Sequence, residues 1–403
     1  MARIVQKFGG SSVGSVEKIF NVAHRVAKTA ADGNEVAVVV SAMADTTDEL
    51  MALAEQISTS PAERELAVLL STGEQVSIAL LTMALQKLGC EAISFTGAQA
   101  GVMTSGTPIN ARICRFEAAK VMQALTTGKI AVVAGFQGVN ACGEVQTLGR
   151  GGSDTTAVAL AAAIGADYCE IYTDVDGVYT VDPRIVATAC KLEEITYDEM
   201  LELASLGAKV LHPRAVECAK EHQVIIHVRS SFHEGAGTLV KETAVMERGT
   251  VISGIACDED QVKFALIGVP DQPGVAASVF SAVAEAGVNV DLIVQSLHRN
   301  GENDILFTVA KADFLKVQSV LDPLVKEIGA KELRHQNNVA KISVVGAGMV
   351  HNTGVAAGMF QALASVGINI EIISTSEIKI SCLIAAEHLQ KAAEAIHNYF
   401  QLS

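Results

Sequence analysis

Short runs of consecutive apolar residues alternate with longer stretches of helical spacing through the first 243 residues. Ile4-Val5 opens the first run, which leads into Lys7-Phe8-Gly9-Gly10-Ser11-Ser12, and over residues 13–30 the apolar positions recur with helical period. That order reads strand, glycine turn, helix. Residues 35–41 form an unbroken buried-type strand that ends in a polar loop, residues 41–47. A helix carrying Ser71-Thr72-Gly73-Glu74, strands near residues 92–95 and 130–134, a helix over 157–165, and strands over 168–172 and 224–228 complete the alternation. Strands interleaved with helices predict an α/β domain over residues 1–243, with a doubly wound, mostly parallel sheet. Ligands of such sheets sit outside the carboxyl ends of the strands, which is where the glycines and hydroxyls of this chain collect.

The pattern changes after residue 243. Pro273-Gly274-Val275-Ala276-Ala277 through Gly287-Val288-Asn289-Val290-Asp291 matches Thr353-Gly354-Val355-Ala356-Ala357 through Gly367-Ile368-Asn369-Ile370-Glu371, a repeat at a shift of 80 residues. Each copy reads strand, turn, helix, strand, strand, helix, and a last strand is evident only in the first, over 330–334. An unpaired sheet edge is a liability, so residues 250–257 are expected to supply the strand missing from the second copy. This gives a linker and contributed strand over 244–261, one repeat over 262–338 and the other over 339–403.

Half of the residues are hydrophobic, which suits a well-packed globular chain, and the near absence of aromatics leaves Ala, Val, Ile and Leu to build the cores. A formal net charge of −15 argues against nucleic acid or an anionic membrane as partner. The apolar runs read as too short and too often interrupted to span a bilayer, and the N-terminus reads as a strand instead of a signal segment. Eight cysteines stand singly, without CxxC pairs or zinc spacing, as expected of free thiols in a reducing cytoplasm.

Candidate chemistry centres on Thr147-Leu148-Gly149-Arg150-Gly151-Gly152-Ser153-Asp154. Three glycines let backbone approach a ligand, Arg150 brings a forked cation, and Ser153 and Asp154 stand where the following helix needs a cap. The loop therefore predicts phosphate or carboxylate binding, although it has neither P-loop nor GxGxxG order. Lys7, separated from two glycines only by Phe8, is a second candidate cation. Glu74 fits a solvated helix face as readily as a buried site. Residues 173–184 look superficially like a calcium loop but lack its spacing and terminal Glu, and a polar loop with Tyr and Arg suits a nucleotide better. Lys209 adds a cation in an apolar setting, and His212, between Leu211 and Pro213, reads as a structural hydrogen-bonder.

With KFGGSS, the 41–47 loop, STGE, FQG, LGRGGSD, YTDVDGVYTVDPR and GAKVLHP in this order, the chain resembles the aspartate kinases over essentially its whole length. KFGGSS departs from the more usual KFGGTS at Ser11 but keeps both hydroxyls. The resemblance implies an amino acid kinase fold followed by two ferredoxin-like (βαββαβ) ACT domains, without a fused homoserine dehydrogenase. It implies transfer of a phosphoryl group from ATP, with Mg2+, to the side-chain carboxylate of L-aspartate. Lys7, Asp154 and Lys209 would then be catalytic. Lys7, Gly9, Gly10, Ser11, Thr173, Asp174, Tyr179, Asp182, Arg184, Lys209 and Val210 would hold ATP, and Ser41, Thr47, Glu74, Arg150, Gly151 and Ser153 the aspartate. No direct protein ligand to the metal is identified. The resemblance further implies feedback by lysine, threonine or both, through Asp271, Gly274, Asn289, Val290, Asp291 and Gln295 in one repeat and Val355, Asn369, Ile370 and Glu377 in the other. Asn289 and Asn369 fit plain turn geometry equally well. A homo-oligomer through the ACT domains is expected, or a separately made small subunit starting near Met246. Phosphorylation of acetylglutamate, glutamate or UMP, and a silent amino-acid sensor, are the competing readings; Lys7, Arg150, Asp154 and Lys209 standing together count against the sensor.

Overall fold

The computed structural model describes residues 1–208, 210–243, 251–296 and 301–402. Lys209, Met246, Thr250 and Ser403 lie outside the described residues. The chain divides into two compact units: Met1–Val178 with Lys191–Ser205 and Lys209–Met246, and Tyr179–Cys190 with Leu206–Ala208 and Glu247–Ser403.

The first unit carries strands β1 (Arg3–Phe8), β2 (Glu35–Val40), β3 (Ala92–Phe95), β4 (Val102–Ser105), β5 (Arg112–Phe116), β6 (Ile130–Ala134), β7 (Gln137–Val139), β8 (Val145–Thr147), β9 (Tyr168–Thr173), β10 (Glu194–Thr196), β11 (Ile226–Ser230) and β12 (Thr238–Lys241). Its helices are α1 (Val16–Ala31), α2 (Thr46–Ile57), α3 (Glu63–Lys87), α4 (Gly97–Ala100), α5 (Ala119–Thr126), α6 (Gly152–Ile164), α7 (Tyr197–Ser205) and α8 (Pro213–His222). Eight strands form one sheet in the order β10-β12-β11-β9-β1-β2-β6-β3. Only the β11/β12 pair in it is antiparallel. A smaller sheet runs β5-β4-β7-β8.

Strand alternation decides what faces what. Phe8, Val36, Val38, Val40, Val132 and Ala134 share a core with Ile19, Val22 and Val26 of α1 and Ile78, Leu81 and Leu85 of α3. Lys7, one residue before Phe8, falls on the other side of β1, against which α6 packs. By length and composition α3 could cross a bilayer, which corrects the expectation drawn from the apolar runs. Its buried Ile78, Leu81, Ala84 and Leu85 instead belong to this core, Leu66 and Leu70 to a smaller cluster with Ala54, and buried Glu74 lies between the two stretches.

The second unit contains β13 (Gly254–Pro270), β14 (Ile293–Gln295), β15 (Glu302–Val309), β16 (Glu332–Val345), β17 (Ile372–Thr375) and β18 (Lys379–Ala385), with α9 (Val275–Glu285), α10 (Phe314–Glu327), α11 (Val355–Ser365) and α12 (Leu389–Tyr399). The sheet order is β14-β15-β13-β16-β18-β17. Residues 254–258 pair with 341–345, and β13 then continues unbroken to pair with β15 and with the first half of β16. The sequence boundaries at 261/262 and 338/339 thus fall inside continuous strands, because each long strand serves both repeats. The repeats keep separate cores, one around α9 and α10 and the other around α11 and α12. Charges cross between them: Lys341, 1 % exposed, pairs with Asp291 and stands 3.7 Å from Asp258, while Lys263 pairs with Glu371.

Tyr179–Cys190 also belongs to this unit. Val181 and Val186 are buried in the α11/α12 core, and the Thr180 carbonyl accepts from the Ile255 N–H at 2.6 Å. The Thr180 hydroxyl lies 3.1 Å from Nε2 of buried His397.

Candidate active site

The site is built at the carboxyl ends of β1, β2 and β6. Lys7, 9 % exposed, brings its ammonium 2.6 Å from Oδ1 of Asp154 in the first turn of α6, a charge contact not aligned as a hydrogen bond. Beyond Phe8 the backbone runs extended through Gly9 into a single 3-10 turn, Gly10–Ser12. A Cβ on Gly10 would sit 2.8 Å from the Ala42 carbonyl, so only glycine lets the β1 and β2 turns close on each other. They are joined by Ser41 N–H to Phe8 O and Ala44 N–H to Gly10 O, each at 3.1 Å.

Helix α3 brings a carboxylate to the same place. Gly73 passes close to Ala42, where a Cβ would meet the Ala42 methyl at 2.8 Å, and this approach lets Glu74 Oε1 accept the Ala42 N–H at 3.0 Å. Glu74 is 2 % exposed, and Oε2 is buried without a hydrogen-bond partner. Burial pushes its carboxyl up to about 7. A buried carboxyl with an open oxygen is a receptor for a cation. Ser41 and Thr47 lie half-buried on the adjoining 41–47 loop.

The glycine loop forms the opposite wall, and here the sequence expectation is corrected. Helix α6 begins at Gly152, earlier than its apolar pattern shows, and its N-cap is Gly151 with φ 70°, with no side-chain cap bond. Ser153 and Asp154 are therefore first-turn residues free to face the site. Left-handed Gly151 is enforced from below, since a Cβ there would lie 2.0 Å from Cγ of His212. His212 in turn caps α8, its Nδ1 accepting from the Arg214 N–H at 3.3 Å. Arg214 clamps the loop from outside, donating to the Leu148 carbonyl at 2.6 Å and the Ala111 carbonyl at 2.9 Å. Sequence reasoning assigned no role to Arg214. Ser153 packs against Gly135 at the end of β6, and Arg150 is exposed, with no ion pair among the described residues.

At the end of β9, Thr173 Oγ1 donates to Asp174 Oδ1 at 3.0 Å. Tyr179, Asp182 and Arg184 fold with the other compact unit, where Arg184 grips Asp182 at 2.6–3.1 Å and holds its carboxyl below the usual range. Val210 is half-buried.

In the second unit, left-handed Gly274 and Gly354 are the N-caps of α9 and α11. Asn289 and Asn369 are both exposed at equivalent turns, as are Gln295 and Glu377 on the strand and loop that follow; Val290 and Ile370 are half-buried and Val355 is buried. Two acidic candidates are already engaged: Asp271 accepts from Asn303 at 3.0 Å, and Asp291 is held by Lys341 and by Gln261 at 3.2 Å.

Residues 2–230 match the Amino acid kinase family, and residues 264–329 and 342–400 each match the ACT domain. An aspartokinase of Bacillus sp. (strain MGA3) is 50% identical, covering 100% of this chain and 98% of its own. Two structures of E. coli aspartokinase III are similar. One, in complex with aspartate and ADP (R-state), is 26% identical, with a TM-score of 0.82 over 98% of this chain and 99% of that one. The other, in complex with lysine and aspartate (T-state), is 27% identical, with a TM-score of 0.79 over the same shares. A glycine-walled site at the carboxyl edge of a parallel sheet, a paired ACT sheet and half-identity over the full length converge: the chain belongs to the aspartokinase family.

Proposed function

We propose that this kinase transfers the γ-phosphoryl group of ATP to the side-chain carboxylate of L-aspartate, giving 4-phospho-L-aspartate, the first step toward lysine, threonine and methionine. The observation that carries the reading is the Lys7–Asp154 contact between two glycine turns, together with the buried Glu74 carboxyl held at the end of β2 by the Ala42 N–H. Phosphoryl transfer requires positioning and charge neutralisation, and a carboxylate acceptor is already ionised at neutral pH, so no strong base is needed. Lys7, oriented by Asp154, neutralises the transferring group, and Lys209 assists from the nucleotide side. Gly9, Gly10 and Ser11 cradle the phosphates; Thr173, Asp174, Tyr179, Asp182, Arg184 and Val210 hold the rest of the nucleotide. Arg150 and Gly151 bind a carboxylate of aspartate, Glu74 its ammonium, and Ser41, Thr47 and Ser153 donate hydrogen bonds. Mg2+, which offsets phosphate charge, would enter on the nucleotide and keep several of its waters.

The exposed Asn289 and Asn369 turns support effector binding in the ACT unit by lysine, threonine or both, and the E. coli relative solved with lysine supports lysine in particular. ACT sheets joined edge to edge would give a homo-oligomer. Eight free cysteines fit a reducing cytoplasm. Measuring ATP consumption with L-aspartate, L-glutamate and N-acetylglutamate side by side tests the reading. Turnover with either alternative but not with L-aspartate would overturn it, and titration with lysine and threonine, singly and jointly, tests the regulation.

A further inference from the structure

We propose that Ser231, on the turn that ends β11, is a positioning residue for the nucleotide. This rests on assigning the β1 and β9 turns to ATP. Strands β11, β9 and β1 are neighbours in the sheet and finish level with one another, Ser230 opposite Thr173 and Phe8 opposite Tyr172. Ser231 is the next residue along. Its N–H donates to the Thr173 carbonyl at 2.8 Å, directly before Asp174. Its hydroxyl shares a 2.6 Å hydrogen bond with that of Ser12, the last residue of the turn after Lys7.

One residue therefore fastens together two turns that are far apart in sequence. Ser12 is buried, and its hydroxyl is engaged with that of Ser231, so it shapes the cradle through this bond. The following residue repeats the arrangement. The Lys18 ammonium lies 5.8 Å from the centre of the Phe232 ring and donates to the Ser11 carbonyl at 2.9 Å. Ser231 and Phe232 thus brace consecutive residues of one turn, and Ser231 alone also reaches the other.

Ser231→Ala deletes the hydroxyl and keeps the backbone link, leaving Ser12 without its partner. Loss of one neutral hydrogen bond corresponds to about fivefold in affinity. The expected result is a KM for ATP raised by up to about fivefold, with kcat and the KM for L-aspartate unchanged, a Tm lowered by a few degrees at most, and recovery in Ser231→Thr, which restores the hydroxyl. An unchanged KM for ATP, an equal rise in both KM values, or failure of the threonine variant to recover would overturn the proposal. Calorimetric titration of wild type and Ser231→Ala with ADP and Mg2+, without aspartate, separates this inference from the functional reading. ADP binding weakened about fivefold by Ser231→Ala upholds the brace even if L-aspartate proves not to be the acceptor. Equal ADP binding by the two proteins, or none by wild type, removes it.

Discussion

Replacing Glu74 by glutamine offers a quantitative probe of the site. Burial raises the Glu74 carboxyl from 4.5 to about 7. Each pKa unit of difference between folded and unfolded chain is about 1.4 kcal/mol, so the ionised residue costs the ligand-free fold about 3 kcal/mol. Below pH 4.5 the group is protonated in folded and unfolded chain alike and exacts nothing; the penalty grows as pH rises from 4.5 to about 7 and is complete above that. Glu74→Gln keeps an oxygen for the Ala42 N–H and removes the charge. Urea unfolding without ligands should find the variant no more stable than wild type near pH 4.5 and more stable by about 3 kcal/mol at pH 8. If Glu74 holds the aspartate ammonium as proposed, the same substitution removes that partner, and loss of a charged hydrogen bond of this kind corresponds to about 10- to 100-fold in KM for L-aspartate. In wild type, that KM should rise as pH falls below about 7 and Glu74 becomes protonated. A glutamine variant no more stable at pH 8, or one with an unaltered KM for aspartate, would refute this account of Glu74.

Other substitutions test separate parts of the structure. Lys7→Met or Asp154→Ala should lower kcat by at least about 100-fold while circular dichroism and Tm show a folded protein; near wild-type turnover would defeat the assignment. Gly151→Ala must place a Cβ 2.0 Å from the His212 ring at φ 70°, so its Tm should fall well below that of Gly33→Ala, which has φ 85° and no atom within 4 Å. Equal losses would show that backbone strain alone matters. Lys341→Met takes the cation from Asp291 and Asp258, which keep some exposure to water and their hydrogen bonds from Gln261, and should destabilise by about 1–3 kcal/mol, whereas Lys316→Met, in an exposed pair with Asp313, should change stability by less than about 1 kcal/mol. Comparable denaturation midpoints would contradict the structural role of the buried lysine.

Local periodicity made the parallel sheet and the repeated unit legible, because β1, β2 and β6 are buried on both faces and each repeat carries the same glycines before and after its helix. Lys7 and Asp154 stood out through the glycines beside them. The true start of α6 did not, because it depends on His212, sixty-one residues away, lying beneath Gly151. Glu74 was ambiguous for a related reason: only the approach of Gly73 to Ala42 shows that the helix face carrying it is buried. Contacts such as Ser12 with Ser231, or Tyr179–Cys190 with the core around α12, join elements that no spacing rule connects.

The long strand β13 also constrains how the protein is made. On a ribosome, residues 254–258 emerge well before residues 341–345, with which they pair. At roughly 5–20 residues per second, that edge stays open for about 4–17 s. A nascent chain interrupted within that interval would lack the β16 strand that both repeats share, leaving β13 as a bare template for adding strands from other molecules, a natural substrate for chaperones.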